Sequence, residues 1–433
     1  MQALLSFDQG PPISAPLRFF ITAPLFAICA GVLLLWAGPE LFASRWTPAA
    51  LALTHLITVG FMMQVMLGAM QQLLPVMAGA NIRRPLLVAT VVHATITLGG
   101  ILLVLAFLTA KPLLFGSAVA CLGGGVVAFM AAALQALHGA PTTSPFVRGM
   151  RLGLLGLCVT VSIGLLNAVS MGWSLGLPLE QLANVHLGWG FVAWGGAMLG
   201  AVGFVAVPMF QQTPQYPGWF GRGFAVVAIA TVALWTVAEL AGVARGASVL
   251  AIGVVLVAAS FAWITLQVQR KSKRPKLDAV QRLWRVAMVS ALLACALWLL
   301  TRMSGTVAQW QSWPLLFGAL LLFGGFMSVI LGMLYKIVPF LVWLHLQNLG
   351  HGRLMAPNVK KVLDEWHING QMHTHFVAVG LLLLAVVWPR GFVYPAGLAL
   401  IAANAWLLRN LLAAVGVYRT HMAKIAALDA AAG

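Results

Sequence analysis

Apolar runs of about twenty residues or more recur along this chain, separated only by short breaks of glycine, proline and charged residues. A helix of about 20 apolar residues spans the hydrocarbon core of a bilayer. Only 8% of the 433 residues are charged, whereas charged residues make up about 25% of an ordinary soluble domain. The sequence therefore predicts an integral membrane protein. It excludes a soluble catalytic module, because too little chain remains between the runs.

The runs predict an all-α fold of twelve transmembrane helices in one polytopic domain covering residues 1–433. The expected bounds are 18–38, 49–77, 86–108, 112–137, 149–172, 181–210, 222–243, 247–268, 282–302, 313–344, 369–388 and 391–417. All four cysteines fall within apolar runs, which leaves no pair for a disulfide framework or a CxxC metal site. No cleaved signal peptide is expected, because no positively charged region precedes the first run.

Basic residues are distributed unequally between the two sides of the predicted bundle. The net charge is +17, from 25 Lys and Arg against 8 Asp and Glu. One side, which includes both termini, receives Arg18, Arg83, Arg84, Arg148, Arg151, Arg222, residues 270–276, Arg282, Arg285, Arg353, Lys360, Lys361, Arg419 and Lys424; the other receives Arg45, Lys111, Arg245, Arg302 and Arg390. Basic loops stay in the cytoplasm. We therefore expect a bacterial inner-membrane protein with both termini cytoplasmic, and no nucleic-acid partner.

A pattern of Leu-Gly pairs, prolines and arginines repeats three times along the chain. It comprises the pairs at 67–68, 199–200 and 331–332, then Pro75, Pro208 and Pro339, and then Arg18, Arg151 and Arg285. Successive pairs lie 132 residues apart, and successive arginines 133 and 134. The shared period predicts a three-fold pseudo-repeat of four-helix blocks, 15–146, 147–279 and 280–420.

Two histidines match under this repeat. His55 near the start of the second predicted helix and His186 near the start of the sixth lie 131 residues apart. The equivalent position in the third block falls near Gly318 or Ala319, so a histidine is absent there. Ionisable residues within a membrane are expensive and mark functional sites by default. Facing each other, the two imidazoles could be the axial ligands of a haem; the alternative is that each makes an ordinary interhelical hydrogen bond.

A second candidate metal site involves His93, His373 and His375, near the side with the termini. The spacing of His373 and His375 turns their rings about 200° apart on a regular helix. They would therefore have to serve different neighbours, and His93 could meet one of them. The alternative is that these are interfacial histidines beside a solvated loop.

Twelve spans in three blocks, with a histidine near the start of helix 2, resemble the catalytic subunit of haem-copper oxidases and nitric oxide reductases. The resemblance implies that His55 binds a haem and that His186 corresponds to a ligand of the copper or non-haem iron site. The adjacent histidine pair of helix 7 in that family is missing from 222–243, and its helix 10 His-x-His is missing from 313–344. Dioxygen reduction is therefore not expected.

Within this superfamily the chain resembles the NnrS family of the nitric oxide response in denitrifying bacteria. The similar segments are His55-x4-Gly60-Phe61 to Leu74-Pro75, then Gly79 and Arg84-Pro85, and His186 to Pro208-Met209-Phe210. This resemblance implies a haem, expected to be haem b, with copper as a second candidate.

The sequence thus favours a haem-binding membrane protein of nitric oxide handling or membrane electron transfer, with oxidoreductase activity left open. The alternatives are a copper or haem transporter and a membrane sensor or assembly factor without turnover.

Overall fold

The computed structural model describes residues 10–140, 144–349 and 354–432. It is 87% helical, and the described residues include no strand. Twelve of their helices are long and apolar enough to cross a membrane, which confirms the predicted all-α membrane fold. Spans 1 to 12 are Ser14–Ala43, Pro48–Ala78, Pro85–Thr109, Pro112–Leu137, Pro145–Trp173, Leu179–Gln211, Gly218–Leu240, Ala244–Arg270, Ala279–Met303, Trp313–Leu349, Glu365–Val387 and Pro389–Leu428.

Local chemistry explains where the spans begin. Span 2 starts at Pro48, whose fixed φ suits the first helical position. The Thr47 hydroxyl before it accepts a hydrogen bond from the Ala50 amide at 3.1 Å. The Asp278 carboxylate likewise caps span 9 by accepting from the Gln281 amide at 2.9 Å. Both contacts satisfy amides that have no partner within their own helix.

Spans 2, 6 and 10 form the interior of the bundle. In their most apolar stretches 61–67% of residues are buried, compared with 22–56% in the other nine spans. Inner spans contact one another directly: the rings of Phe191 and Phe326, on spans 6 and 10, stack at 5.8 Å. Each inner span is the second helix of a predicted four-helix block.

The outer helices include spans 1 and 12, which pack against each other. Gly31 and Gly397 lie at this contact, where a Cβ built on Gly31 would be 2.8 Å from the Gly397 carbonyl oxygen. In lipid, helices associate through such close packing at small residues rather than through a hydrophobic drive. The first and last described spans are thereby held together. We call the end of the bundle that carries Arg45 the Arg45 end.

Each inner span contains an eight-residue π-helical segment. The segments are Leu56–Met63, Trp189–Gly196 and Leu320–Met327. Their starts lie 133 and 131 residues apart, close to the period found in the sequence. π-Helical turns are rare and frequently lie at functional sites. Their recurrence supports the division into three blocks, which stays a prediction until the blocks are superposed.

The repeated glycines do not all meet the same neighbour. A Cβ on Gly68 would approach Phe19 of span 1 to 2.8 Å, and one on Gly332 would approach Trp284 of span 9 to 3.3 Å. Both neighbours belong to the first helix of the glycine's own block. Gly200 instead faces Phe224 of span 7 at 2.8 Å. The second block therefore packs differently at this level.

Substitution of Gly68 by leucine should destabilise the bundle, because the new side chain must displace Phe19 and also approach the Pro16 carbonyl oxygen. Overpacking of this kind costs about 1–3 kcal/mol. Thermal unfolding in detergent should show a lower midpoint for Gly68→Leu. The matched control is Gly380→Leu, where a Cβ has no atom within 4 Å. Equal midpoints for both variants would contradict the inner position of Gly68.

Candidate functional site

A cavity of about 1060 Å³ lies between the inner spans, open toward the Arg45 end. Spans 1, 3, 4, 5, 7, 8, 9 and 11 also contribute to its wall, and most of the lining side chains are apolar. Pockets for small molecules and cofactors are usually about 300–1,000 Å³. This cavity is slightly larger than that range, so it has room for an extended aromatic cofactor rather than a lone ion.

His55 lies in the cavity wall, immediately before the π-helical segment of span 2. Its Nδ1–H donates to the Leu51 carbonyl oxygen at 2.8 Å, since a carbonyl can only accept. The Phe107 ring packs against the imidazole with centroids 4.9 Å apart. Nε2 therefore carries the free lone pair, and it has no hydrogen bond to any described residue.

His186 has the same arrangement on span 6. Its Nδ1–H donates to the Thr160 carbonyl oxygen of span 5 at 2.9 Å. Gly164, one turn along span 5, leaves room for the ring, because a Cβ there would be 2.8 Å from Cε1 of His186. The hydrogen bond to Thr160 fixes both the tautomer and the orientation of the ring. In metal sites, the ring nitrogen that does not bind the metal usually makes such a hydrogen bond.

The structure thus brings the two repeat-matched histidines to one cavity. Both are held in the tautomer that leaves Nε2 available, and neutral imidazole is the commonest metal ligand in proteins. Gly318 and Ala319 line the same cavity. Span 10, which has no histidine at the matched position, therefore contributes open space there.

Arg45 lies at the mouth of the cavity. Its guanidinium donates to Asn184 at 3.1 Å and to Glu180 at 3.3 Å, and it lies 4.9 Å from the Trp46 ring centroid. Burial lowers the pKa of Arg45, and the Glu180 carboxylate partly offsets this effect. Arginine nevertheless stays protonated in proteins. A permanent cation therefore marks the entrance, together with Arg302, which also lines the cavity.

Two cavity residues were not identified from the sequence. The indole N–H of Trp194 and the Oδ1 atom of Asn167 are both buried and have no hydrogen-bond partner in the described part of the chain. Buried polar atoms are rarely left unpaired. Asn167 could have been identified from the sequence, because an asparagine is uncommon within an apolar span. Trp194 could not be distinguished from the other tryptophans.

The three residues of the second candidate site do not form one group. Nε2 of His93 hydrogen bonds to the Thr22 hydroxyl at 2.8 Å, and Nε2 of His375 hydrogen bonds to the Ser328 hydroxyl at 2.8 Å. His373 is exposed. Across residues 10–140, 144–349 and 354–432, no three His, Cys, Asp or Glu side chains come together as a metal-binding group.

Comparison with known protein families finds no family model that matches this chain. A search among curated proteins finds no relative either.

The contact between His93 and Thr22 predicts a structural role for this histidine. Thr22→Val keeps the shape but removes the hydroxyl, so unfolding should become easier by about 1 kcal/mol, the net value of one hydrogen bond. A denaturant titration in detergent measures the change. Thr109→Val is the control, because that exposed hydroxyl bonds only to Leu105 of its own helix. If Thr22→Val and Thr109→Val change the free energy of unfolding equally, the prediction of a structural role for His93 is wrong.

Proposed function

We propose that this chain is a haem protein of the bacterial inner membrane, in which His55 and His186 would hold a haem b. One observation carries the proposal: two histidines on corresponding inner helices line one cavity, each with its Nδ1–H bonded to a backbone carbonyl and its Nε2 free. The role that fits best is membrane electron transfer or nitric oxide handling. The unequal distribution of basic residues supports cytoplasmic termini.

The residues of the cavity fit a haem in three respects. The volume of about 1060 Å³ and the largely apolar wall suit a macrocycle. The unpartnered Trp194 N–H can serve an acceptor on the bound group. Arg45 and Arg302 at the wall supply positive charge for carboxylates, which arginine binds strongly. A bound haem would supply a one-electron redox centre.

The protein's own groups would set the properties of that centre. The carbonyls of Leu51 and Thr160 hold the imidazoles in orientation and make Nε2 more basic. The apolar wall limits water near the site, and the Phe107 ring covers one side of His55. Because both imidazoles would be used to hold the haem, neither would remain to bind or activate a substrate. This arrangement favours electron transfer or sensing over turnover.

A copper transporter is the second candidate, because soft ligands share the cavity. Met62, Met63, Met171, Met288 and Cys295 all line it, and thioether and thiol groups suit Cu(I). On span 2, Met62, Met66 and Met70 are spaced four residues apart and form a stripe, but Met66 and Met70 do not belong to the lining. The stripe therefore does not extend along the cavity as a conduction path.

The absorption spectrum of the purified protein tests the proposal. We expect a Soret band typical of bis-imidazole haem, because both Nε2 atoms are free to ligate. His55→Ala or His186→Ala should abolish or shift this band, whereas His138→Ala should not, since His138 is exposed at the end of span 4. Bound copper without a chromophore would support the transporter instead. Spectra unchanged in both cavity variants would refute axial ligation.

Dioxygen consumption provides a separate test of reactivity. The purified protein should consume no dioxygen with artificial electron donors, because span 7, Gly218–Leu240, contains no histidine to hold a second metal beside His186. An oxygen electrode measures the rate, with a known oxidase as positive control. Sustained uptake that disappears in His186→Ala would restore an oxidase assignment.

A further inference from the structure

Polar side chains follow one face of span 11. His367, Gln371 and His375 are spaced four residues apart, which places them on neighbouring turns over about 12 Å. His367 lies near the start of the span, at the end of the bundle opposite the Arg45 end, whereas Gln371 and His375 are fully buried. We call these three residues the span 11 tract.

The outer part of the tract is connected to spans 10 and 12. His367 contacts the Arg409 guanidinium at 3.0 Å. Its carbonyl accepts a hydrogen bond from the Asn410 amide at 3.3 Å, and the same amide donates to the Tyr335 hydroxyl at 3.0 Å. The tract therefore begins at the surface and continues inward beside a buried tyrosine.

The inner part ends near the cavity. The Gln371 amide donates to the Ala403 carbonyl at 3.2 Å, and His375 bonds to the Ser328 hydroxyl. Val329, directly after Ser328, lines the cavity, as does Leu382, two turns beyond His375. The cavity-lining residues that follow the inner end of the tract along spans 10 and 11 are thus apolar.

Three buried polar atoms along the tract have no partner among the described residues. They are Oε1 of Gln371, Nδ1 of His375 and Oδ1 of Asn404, all on side chains with 0% exposure. An unpaired buried polar atom costs about 1–3 kcal/mol, so such atoms are usually satisfied by internal water. Gln371 bonds to Ala403, the residue directly before Asn404, and His375 lies one turn further along span 11, so internal water at this contact would satisfy the unpaired atoms.

We propose that the span 11 tract holds a chain of water molecules and carries protons from the His367 end of the bundle toward the cavity. An imidazole, a hydroxyl and a water molecule can each accept a proton on one side and release another on the opposite side. Only O–H and N–H bonds break and form, and no electron moves. The apolar residues Val329 and Leu382 close the inner end. The proposal does not depend on haem.

Proton entry into vesicles tests this path. The full-length protein is reconstituted with a pH-sensitive dye inside, and a potassium diffusion potential drives protons inward. Val329→Ser should place a hydroxyl at the apolar inner end and raise proton entry above that of wild type. Adding His375→Phe or Gln371→Leu should abolish the increase. Adding His373→Phe should not, because this exposed residue lies on the same helix outside the tract.

Two results would overturn the proposal: no increase in Val329→Ser, or an increase that persists when His375 is replaced. Should His375→Phe fail to fold, as judged by gel filtration, His375→Asn replaces it. Asparagine can still bond to Ser328 but cannot take up a proton. The assay needs no bound cofactor, so a protein that lacks a haem spectrum can still show the tract-dependent flux.

Discussion

The pairing of every backbone amide and carbonyl inside the bilayer constrains this structure most strongly. Lipid offers no hydrogen bonds, so a spanning segment must satisfy its backbone within the protein. π-Helical turns depart from the regular pattern, and in the described residues they occur only in spans 2, 6 and 10. These are the most buried spans. The outer helices therefore shield the π-helical backbone from lipid. The π-helical segments also contribute residues to the cavity wall.

The same constraint explains how the two cavity histidines are held. His55 and His186 each bond to a carbonyl, one from its own helix and one from span 5. In this arrangement one nitrogen of the neutral imidazole has a hydrogen-bond partner, and the other is left free at the cavity. No charged group is needed to fix the ring, which avoids the cost of a charge in lipid. His375 differs, because its bond to Ser328 uses Nε2 and leaves Nδ1 buried.

Hydropathy predicted all twelve spans, because length and apolarity are properties of the local sequence. The period of the repeat singled out His55 and His186, since matched positions need no knowledge of helix rotation. Side-chain partners such as Thr22 for His93 were not predictable, because they depend on how two helices are rotated about their axes. The π-helical segments add to this difficulty, since they interrupt the 3.6-residue periodicity on which such rotations are estimated. Gly200 shows the limit of the repeat, because its neighbour Phe224 is on a different helix of the block.

The π-helical segments also determine where a transmembrane helix can lose a residue. Deleting one residue from an ordinary α-helix turns everything beyond it by about 100° and moves buried side chains toward lipid. A turn closed by i→i+5 bonds already holds one residue more than an α-helical turn. It can lose that residue and close as a regular turn, so the helix beyond keeps its orientation. A transmembrane helix can therefore absorb the deletion of one residue at three places in the interior of the bundle. These places are Leu56–Met63, Trp189–Gly196 and Leu320–Met327.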